Sequence, residues 1–366
     1  MSDQKKTICI IGSGNWGSAV SKLAGESALA QPDKFEERVN MYMYEENFEG
    51  QKLTEVVNQK HENVKYLPGV KLPENVVAVP DVVEASKNAD VLIFVMPHQF
   101  VRETCKRMKE HVKDTALAVS LIKGFDLHPE TKGKIAMISN LIEDILGIDC
   151  CVLMGANVAP EVAAEQFCET TIGCKTKEQG YLLKSIFEKP YLRVSLCMDI
   201  DTVEMCGALI NVIAIGVGIV DGMGQGHNTK AAVLRLGLME MVKFGELFIQ
   251  DCQKITFFES CGMADLVATC YGGRNRQLGE AVVKSDKPIK QLEKDILRGQ
   301  SFQGPLVAKE IHEILVERNI VERFPLFEAI YKICNREMEP TEFINCLRCH
   351  PAHKFSRKAR PSMFFY

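Results

Sequence analysis

The sequence predicts a doubly wound α/β domain with a mainly parallel sheet, followed by an all-α domain. Up to about residue 197, short apolar runs rich in β-branched residues alternate with amphipathic, charged segments, which is typical of strands joined by covering helices. A glycine-rich turn directly follows the first of these runs. Beyond Asp201, apolar residues recur only at helical spacing, so we expect no further strands there.

Seven apolar runs predict the strands of the sheet. In chain order they are 7–12, 39–44, 90–97, 115–124, 150–157, 169–174 and 192–197. Each is short, apolar and bounded by polar or turn-forming residues. We expect the last two runs to extend the sheet at one edge.

The chain length implies more than one domain, because 366 residues exceed what one ordinary core holds. We place a dinucleotide-binding domain at 1–197 and a helical substrate and dimerisation domain at 198–353. The remaining segment, 354–366, is basic and then aromatic. We expect it to be a solvated, poorly ordered tail, and the alternative is contact with a membrane or a partner.

Composition and charge exclude several classes of protein. A hydrophobic content of 46%, with 25% charged residues, is typical of a soluble globular protein. The net charge of -4 provides no broad basic field, so nucleic acid is not an expected partner. The longest apolar run, 208–220, has 13 residues and is shorter than the roughly 20 that a membrane span needs, so we interpret it as a core helix. The start of the chain lacks a signal-peptide cleavage pattern, and we expect a cytoplasmic protein.

The fourteen cysteines indicate a reducing compartment, because many lie inside apolar runs, where a free thiol behaves as a small hydrophobic group. One cluster, "CLRCHPAH", combines Cys346, Cys349, His350 and His353. It contains the C-x-x-C-H pattern of haem attachment and could also form half of a zinc site. A structural zinc site of this kind usually includes a second, distant ligand pair. We therefore predict no metal.

A glycine-rich loop predicts a dinucleotide site. The segment "IIGSGNWGSAV" places Gly12, Gly14 and Gly17 in G-x-G-x-x-G spacing between a strand and a helix. The first glycine permits a tight turn, the second permits close approach of a pyrophosphate, and the third lets the helix pack on the strand. This is the Rossmann arrangement, in which the helix N-terminus binds the phosphates.

Two acidic residues after the second predicted strand favour NAD over NADP. Glu45 and Glu46 stand where a carboxylate binds the ribose hydroxyls and repels a 2′-phosphate. The alternative is a pair of solvated charges at the start of a helix.

Ligands of open α/β sheets bind beyond the carboxyl ends of the strands. That edge would bring together Phe100 from "MPHQF", Lys123 from "SLIKG", and Asn157 and Ala159 from "GANVA". A lysine at a strand end is more often a solvated charge, but its stem is expected to be buried here between an apolar strand and a glycine.

The densest polar segment is "ESCGMADLVATCYGGRNRQ". Asp265 and Thr269 are four residues apart and should share one helix face. Arg274 and Asn275 follow two glycines, an arrangement that suits the binding of a phosphate group. The alternative is a helix that ends at Gly-Gly and is followed by a surface arginine.

The segment from 201 predicts a long buried helix. Asp201 is expected to cap its N-terminus, with Glu204 reaching back in a capping box.

Taken together, these motifs resemble the eukaryotic NAD-dependent glycerol-3-phosphate dehydrogenases. The motifs are "GSGNWGSA", "VPDVV", "MPHQF", "SLIKG", "MGAN", "FCETTIGC", "NTKAA", "RLGLMEM", "ESCG", "ADL", "TCYGGRNR" and "PLFEAIY". The resemblance covers the chain from Lys6 to about His353. It implies a Rossmann domain, a helical second domain, a cytosolic homodimer, and hydride exchange between NADH and dihydroxyacetone phosphate, a small phosphorylated triose.

The resemblance also implies roles for individual residues. Cofactor contacts fall on Gly12, Ser13, Gly14, Asn15, Trp16, Gly17, Tyr44, Phe100, Ala159, Arg274 and Gln303. Substrate contacts fall on Lys123, Asn211, Arg274 and Asn275. Asp265 and Thr269 match the polar pair at the reacting centre. Tyr44 replaces a common phenylalanine, and Ser301 stands where a lysine is expected.

One departure from the family pattern concerns catalysis. In the family, "CGAL" is followed by a lysine that is taken as the proton donor to the ketone oxygen, whereas this chain has Ile210. Loss of a general acid typically lowers the rate by a factor on the order of 10²–10⁴. Three explanations are open: Lys123 or a water acts as the acid, the protein binds its ligands without turnover, or the residue is a sequence variant or error.

Overall fold

The structure is a computed structural model that describes residues 4–126, 135–297 and 302–353. The predicted tail at 354–366 and the departure at Ser301 lie outside the described residues.

An eight-stranded sheet forms the centre of the first part of the chain. A separate two-stranded hairpin comes between the second and third strands of this sheet in chain order. The strands are β1 (Lys6–Ile11), β2 (Phe35–Tyr42), β3 (Asn47–Phe48), β4 (Gln51–Lys52), β5 (Val76–Val79), β6 (Val91–Phe94), β7 (Leu117–Ser120), β8 (Cys150–Met154), β9 (Cys168–Gly173) and β10 (Leu192–Cys197). The order in the large sheet is β10-β9-β8-β7-β6-β1-β2-β5, and β3 pairs with β4. Neighbouring strands of the large sheet are parallel except β8 and β9.

All seven predicted strands are present, and the prediction of a mainly parallel sheet is confirmed. The last two, β9 and β10, lie at one edge as expected. Three strands are not among those predicted: the two-residue strands β3 and β4, and β5, a four-residue strand that pairs with β2. The run of β5 is short and carries no alternation that separates it from a loop, so its pairing with β2 decides its conformation.

Helices cover both faces of the sheet. They are α1 (Asn15–Ala30), α2 (Leu53–Lys60), α3 (Val82–Ser86), α4 (Val101–Met108), α5 (Ile138–Leu146), α6 (Ala159–Ala163) and α7 (Lys177–Phe187). One apolar core holds residues of α1, α2 and α7 against one face, and a second holds residues of α3, α4 and α5 against the other. This two-sided burial is why the parallel strands read as continuous apolar runs.

The remaining long elements are helical. They are α8 (Ile200–Gly222), α9 (His227–Phe248), α10 (Asp265–Gly272), α11 (Arg274–Lys284), α12 (Ile289–Leu297), α13 (Gly304–Glu317), α14 (Pro325–Cys334) and α15 (Phe343–Arg348). Of the described helices, α8 is the one long and apolar enough to cross a membrane, but its most apolar stretch is entirely buried within the protein. Its interpretation as a core helix is confirmed.

The described chain forms two compact units that are not continuous in sequence. One comprises the described parts of 1–210 and 245–269, and the other those of 211–244 and 270–353. The division falls inside α8, because the two ends of this long helix are packed in different surroundings. Strands give way to helices between Cys197 and Ile200. The predicted domain bounds at 1–197 and 198–353 stay a prediction.

The expected capping box at the start of α8 is wrong. Asp199, which precedes the first helical residue, accepts a hydrogen bond from the backbone N–H of Thr202 at 3.3 Å. Asp201 already lies within the first turn, so it is too late to act as the cap. Glu204 is fully buried and bonds to Ser139 instead.

Candidate active site

The glycine loop between β1 and α1 has the geometry that a dinucleotide requires. Gly12 has φ +125°, and a Cβ on it would lie 2.2 Å from the carbonyl oxygen of Val95. A Cβ on Gly17 would lie 2.4 Å from the carbonyl oxygen of Gly12. Nothing lies within 4 Å of a Cβ placed on Gly14. The outer glycines therefore permit the tight turn and close packing, while Gly14 leaves open space for a phosphate.

A buried asparagine that the sequence analysis missed holds this loop. Asn63 donates from Nδ2 to the carbonyl oxygen of Ser13 and to Oγ of Ser18, both at 2.8 Å. Its own Oδ1 accepts from the backbone N–H of Tyr66 at 3.2 Å. Asn63 is 0% exposed, so its side chain bonds to these protein groups rather than to solvent. Its position 50 residues from Ser13 explains why no local motif revealed it.

The other predicted loop residues, Ser13, Asn15 and Trp16, are partly buried. Asn15 accepts at Oδ1 from the N–H of Trp16 at 2.7 Å, at the first turn of α1. Trp16 is partly buried against two of the apolar cores of this unit. These contacts order the start of α1, whose free backbone N–H groups are the expected phosphate donors.

The aromatic residues predicted to contact the cofactor are largely exposed at strand ends. Tyr44 follows β2 and is 75% exposed, while Phe100 ends a short 3₁₀ helix after β6 and is 55% exposed. Ala159 is buried at the start of α6, beyond β8. Gln303 precedes α13 in the other unit. Exposed aromatic faces at the carboxyl edge of the sheet suit a planar ligand.

Both acidic residues after β2 already have partners. Glu45 accepts from Oγ1 of Thr54 at 2.6 Å, and Glu46 forms an ion pair with Lys65. Binding of ribose hydroxyls by these carboxylates stays a prediction.

A partly buried ion pair lies beyond the carboxyl end of β7. Lys123 places Nζ 2.6 Å from Oδ2 of Asp265, and the other oxygen of this carboxylate accepts from Oγ1 of Thr269 at 2.8 Å. The Asp265 side chain is 3% exposed, and that of Lys123 is 29% exposed. The predicted sharing of a helix face by Asp265 and Thr269 is confirmed. The buried Asp265 carboxylate is therefore stabilised by contact with the Lys123 ammonium.

A wide helical turn places Asp265. Residues Ser260–Ala264 form a π-helical turn directly before α10, a feature often found at functional sites. Ser260 donates from Oγ to the carbonyl oxygen of Glu169 at 2.7 Å, and the N–H of Cys261 donates to Oγ1 of Thr171 at 3.3 Å. These bonds to β9 fix the start of α10 against the sheet, so Asp265 is held rigidly.

The first half of α8 packs against the stem of Lys123. A Cβ on Gly207 would lie 2.6 Å from Sδ of Met154 and 3.4 Å from Cγ of Lys123. Ile210 lies on the next turn of this helix and has 0% exposure. Ile210 is three positions after Gly207, so the two share a helix face.

The second unit contains a separate polar cluster built on amide groups. Asn275 donates from Nδ2 to Oδ1 of Asn211 at 2.8 Å and accepts at Oδ1 from the N–H of Gly304 at 3.1 Å. Both asparagines are buried. Gly304 follows Gln303, so this network also fixes the backbone beside a predicted cofactor residue. Arg274 is exposed as the first residue of α11.

Two glycines let α8 and α11 cross closely in this unit. A Cβ on Gly218 would lie 1.9 Å from the carbonyl oxygen of Arg276, and one on Gly279 would lie 2.1 Å from that of Ile215. Arg276 also pairs with Asp221 at 2.6 Å. The crossing sets where the N-terminus of α11, with Arg274, is placed relative to Asn211.

The cysteine and histidine cluster has structural roles. Cys346 donates from Sγ to the carbonyl oxygen of Pro325, His350 contacts the buried Glu240 through Nε2 at 3.0 Å, and His353 contacts the carbonyl oxygen of Leu347. Within 4–126, 135–297 and 302–353, no group of three or more potential ligands is placed to bind a metal ion. All fourteen cysteines are free thiols.

The fold and these contacts define a class of protein. A glycine loop open to a phosphate, at the carboxyl edge of a doubly wound sheet, is the dinucleotide site of nicotinamide-dependent dehydrogenases. A lysine ammonium held by a buried carboxylate beyond a nearby strand suits proton transfer to a carbonyl oxygen.

Known proteins of this class match the chain over nearly its full length. The model of the NAD-dependent glycerol-3-phosphate dehydrogenase N-terminus matches residues 7–180, and that of the C-terminus matches 199–345. The cytoplasmic glycerol-3-phosphate dehydrogenase [NAD(+)] of Drosophila ezoana is 55% identical to this chain. The match covers 96% of this chain and 99% of the Drosophila protein. The chain belongs to the NAD-dependent glycerol-3-phosphate dehydrogenase family.

Solved structures agree with this assignment. Glycerol-3-phosphate dehydrogenase of Saccharomyces cerevisiae has a TM-score of 0.84 at 39% identity, covering 94% of this chain and 99% of the yeast chain. The DsGPDH structure of Dunaliella salina has a TM-score of 0.90 at 40% identity. That match covers 94% of this chain, which spans 60% of the Dunaliella chain.

Proposed function

We propose that this chain interconverts dihydroxyacetone phosphate, NADH and a proton with sn-glycerol 3-phosphate and NAD, and that Lys123 supplies the proton. The chain is a family dehydrogenase that uses NAD, and its similar proteins are named cytoplasmic. We place it in the cytoplasm on the same ground. The ion pair between Lys123 and Asp265, at 2.6 Å, is the observation that carries the proposal.

The cofactor fits the glycine loop. Gly14 leaves space for the pyrophosphate, while the N-terminus of α1 offers backbone N–H groups and a positive partial charge to it. Tyr44 and Phe100 would line the site, with Ala159, Arg274 and Gln303 as further predicted contacts. When bound, NADH supplies the hydride.

The proton is assigned to Nζ of Lys123. Ile210 has no titratable group, so it can neither donate a proton nor stabilise a developing alkoxide. Lys123 remains partly exposed, whereas its partner Asp265 is buried. The carboxylate holds the ammonium in place, and Thr269 fixes the orientation of the carboxylate at 2.8 Å. In the reductive direction, Lys123 gives its proton to the ketone oxygen as hydride reaches the carbon, and solvent then restores the proton.

Phosphate recognition is assigned to the second polar cluster. Arg274 offers a guanidinium at the N-terminus of α11, where the helix dipole also favours an anion. Asn275 and Asn211 are held by their mutual hydrogen bond. We assign these three residues to the substrate.

A second candidate is an NAD-binding homologue without turnover, acting as a regulatory protein or as one half of a mixed dimer. The observation that favours it is Ile210, an apolar and fully buried residue at the family's proton-donor position. Both candidates predict NADH binding, so turnover separates them.

The test is NADH consumption with dihydroxyacetone phosphate by the purified chain, beside its Ile210→Lys and Lys123→Met variants. Turnover by the unaltered chain that is lost in Lys123→Met supports the proposal. No turnover by the unaltered chain, with NADH binding retained and activity gained by Ile210→Lys, supports the second candidate. Turnover that survives in Lys123→Met contradicts the assignment of the proton to Lys123.

The assembly is a further part of the proposal. The family resemblance predicts a homodimer. Sedimentation equilibrium of the purified chain would give about twice the 40.9 kDa of one chain if this holds, and a value for a single chain would contradict it.

A further inference from the structure

A buried carboxylate on α8 is not accounted for by the reaction described above. Glu204 has 0% exposure. It accepts hydrogen bonds from both the backbone N–H, at 3.1 Å, and the hydroxyl of Ser139. Ser139 lies in the first turn of α5, where backbone N–H groups lack partners within the helix. Glu204 therefore ties α8 to the N-terminus of α5.

The start of α5 is connected to Lys123 by the backbone. After β7, the chain passes through Lys123 and Gly124 to Phe125, which forms an antiparallel bridge with Met137. The N–H of Asp126 donates to the carbonyl oxygen of Ala136 at 2.8 Å. Ser139 thus lies two residues beyond Met137, the bridge partner of Phe125. Holding Ser139 therefore holds the bridge that lies two residues after Lys123.

The same region of α8 touches Lys123 directly. Gly207 lies one turn beyond Glu204 and is the residue whose Cβ would meet the Lys123 stem. One helix face therefore bonds to the start of α5 through the Glu204 carboxylate and contacts the Lys123 stem through Gly207. A shift of α8 against α5 would move the Lys123 stem relative to Asp265.

We propose that Glu204 is a positioning residue that sets the placement of the Lys123 ammonium through Ser139. The inference rests on the proposed function of Lys123 as the proton donor. Misplacement of a reacting group by about 1 Å can lower a rate by about 100-fold. Glu204 would act in this way without touching substrate or cofactor.

The surroundings of Glu204 favour its neutral form. Burial, with a smaller contribution from Asp201 on the same helix, raises its pKa to about 7 against the opposing hydrogen bonds from Ser139 and Ile138. Cys150 on β8 also faces Glu204, but burial keeps its thiol protonated. The hydroxyl of Ser139 can donate to the carboxylate or accept from the protonated acid, so the link to α5 survives both states. A glutamine reproduces the neutral form.

The experiment combines kinetics with hydrogen exchange in the full chain. The variants are Glu204→Leu, which removes both hydrogen bonds, and Glu204→Gln, which keeps them. Thr202→Val is the matched control, because Thr202 is buried in the same helix. We expect Glu204→Leu to lower kcat by about 10- to 100-fold, with KM for dihydroxyacetone phosphate changed by less than about threefold. Its amides at 117–126 should exchange roughly fivefold faster or more.

Rescue by the conservative variant separates positioning from general destabilisation. Glu204→Gln should restore kcat and slow exchange to near the unaltered values, because it keeps both hydrogen bonds to Ser139. Glu204→Leu with the kcat and the 117–126 exchange of Thr202→Val would overturn the inference. If Glu204→Leu does not fold, Ser139→Ala replaces it, with the same direction of change and a smaller effect.

Failure of the proposed function would be visible separately. If the unaltered chain binds NADH but shows no turnover, the proposed function fails and exchange alone decides the inference. Fast exchange at 117–126 in Glu204→Leu, with slow exchange in Glu204→Gln, would still support it. Equal exchange in all three chains would overturn it.

Discussion

Asp265 and Glu204 are two buried carboxylates in the same compact unit, yet their surroundings differ. Asp265 faces the ammonium of Lys123 and the hydroxyl of Thr269. Glu204 faces the N–H and hydroxyl of Ser139, and burial raises its pKa to about 7. A cation neutralises the first carboxylate, whereas only hydrogen-bond donors stabilise the second.

The difference indicates what each carboxylate is suited to do. A carboxylate paired with a lysine provides fixed charge at a reacting centre, because removal of either partner leaves the other uncompensated. A carboxylate bonded to a serine hydroxyl rather than to a cation changes protonation at little structural cost, because the hydroxyl can reverse its role. We therefore assign chemistry to the first and positioning to the second.

The largest effect is expected when the ammonium of Lys123 is removed. Lys123→Met keeps the stem but removes the charge, and we expect kcat to fall by a factor of about 10²–10⁴ because the general acid is lost. Lys175→Met is the control, since Lys175 pairs with Asp149 and Glu143 instead. Steady-state kinetics measure both. Equal rates in the two variants would remove the distinction between Lys123 and an ordinary paired lysine.

The next effect comes from removing the charge of the carboxylate. Asp265→Asn keeps the bond with Thr269 but leaves Lys123 without its counter-charge. We expect kcat to fall by about 100-fold, with a loss of about 1–3 kcal/mol in the free energy of unfolding, discounted because Lys123 is partly exposed. Urea unfolding monitors stability alongside the kinetics. A stability loss with unchanged kcat would make the pair structural only.

Restoring the family's lysine tests whether one acid is enough. We expect Ile210→Lys to raise kcat by about tenfold or more, since a second ammonium would share proton transfer. Because Ile210 is fully buried, Ile210→Met controls for the longer side chain. A flat response with intact folding would mean that Lys123 already supplies the whole effect.

Phosphate recognition should be lost without loss of the chemistry at Lys123. Arg274→Ala is expected to weaken dihydroxyacetone phosphate binding by about 10- to 100-fold, the contribution of a charge-assisted pair. Isothermal titration with the substrate and with NADH separates the two ligands. Arg276→Ala, which removes the ion pair with Asp221, is the comparison variant. Unchanged substrate affinity in Arg274→Ala would contradict its assignment.

The smallest expected effect concerns stability and pH. The pKa of Glu204 is 4.5 in the unfolded chain and about 7 in the folded chain, so the folded state binds the proton more tightly. The resulting contribution to the free energy of unfolding is fully present below about pH 4.5 and is lost as pH rises through 7. Glu204→Gln lacks this titration. The free energy of unfolding of Glu204→Gln, relative to that of the unaltered chain, should therefore rise by roughly 1–2 kcal/mol between pH 5 and pH 8. Thermal unfolding at both pH values measures the difference, and a gap that does not change with pH would contradict it.

Local patterns in the sequence were sufficient for several features. Gly12, Gly14 and Gly17 occupy the predicted turn, and the spacing of Asp265 and Thr269 predicted a shared face that the hydrogen bond between them confirms. These features depend on neighbours within a few residues, where backbone geometry alone determines which groups meet. The catalytic, cofactor and substrate roles of the site residues stay predictions.

The sequence by itself determined the order of the seven predicted strands, the change from strands to helices, the glycine turn and the family, because periodicity and motifs are local properties of the chain. Only the tertiary structure decided that Asp265 pairs with Lys123, 142 residues away, and that Glu204 bonds to Ser139, 65 residues away. It also made Asp199 the cap of α8 and Asn63 the support of the glycine loop. Such contacts depend on how buried surfaces pack, and a buried polar group bonds to whichever partner that packing brings within reach.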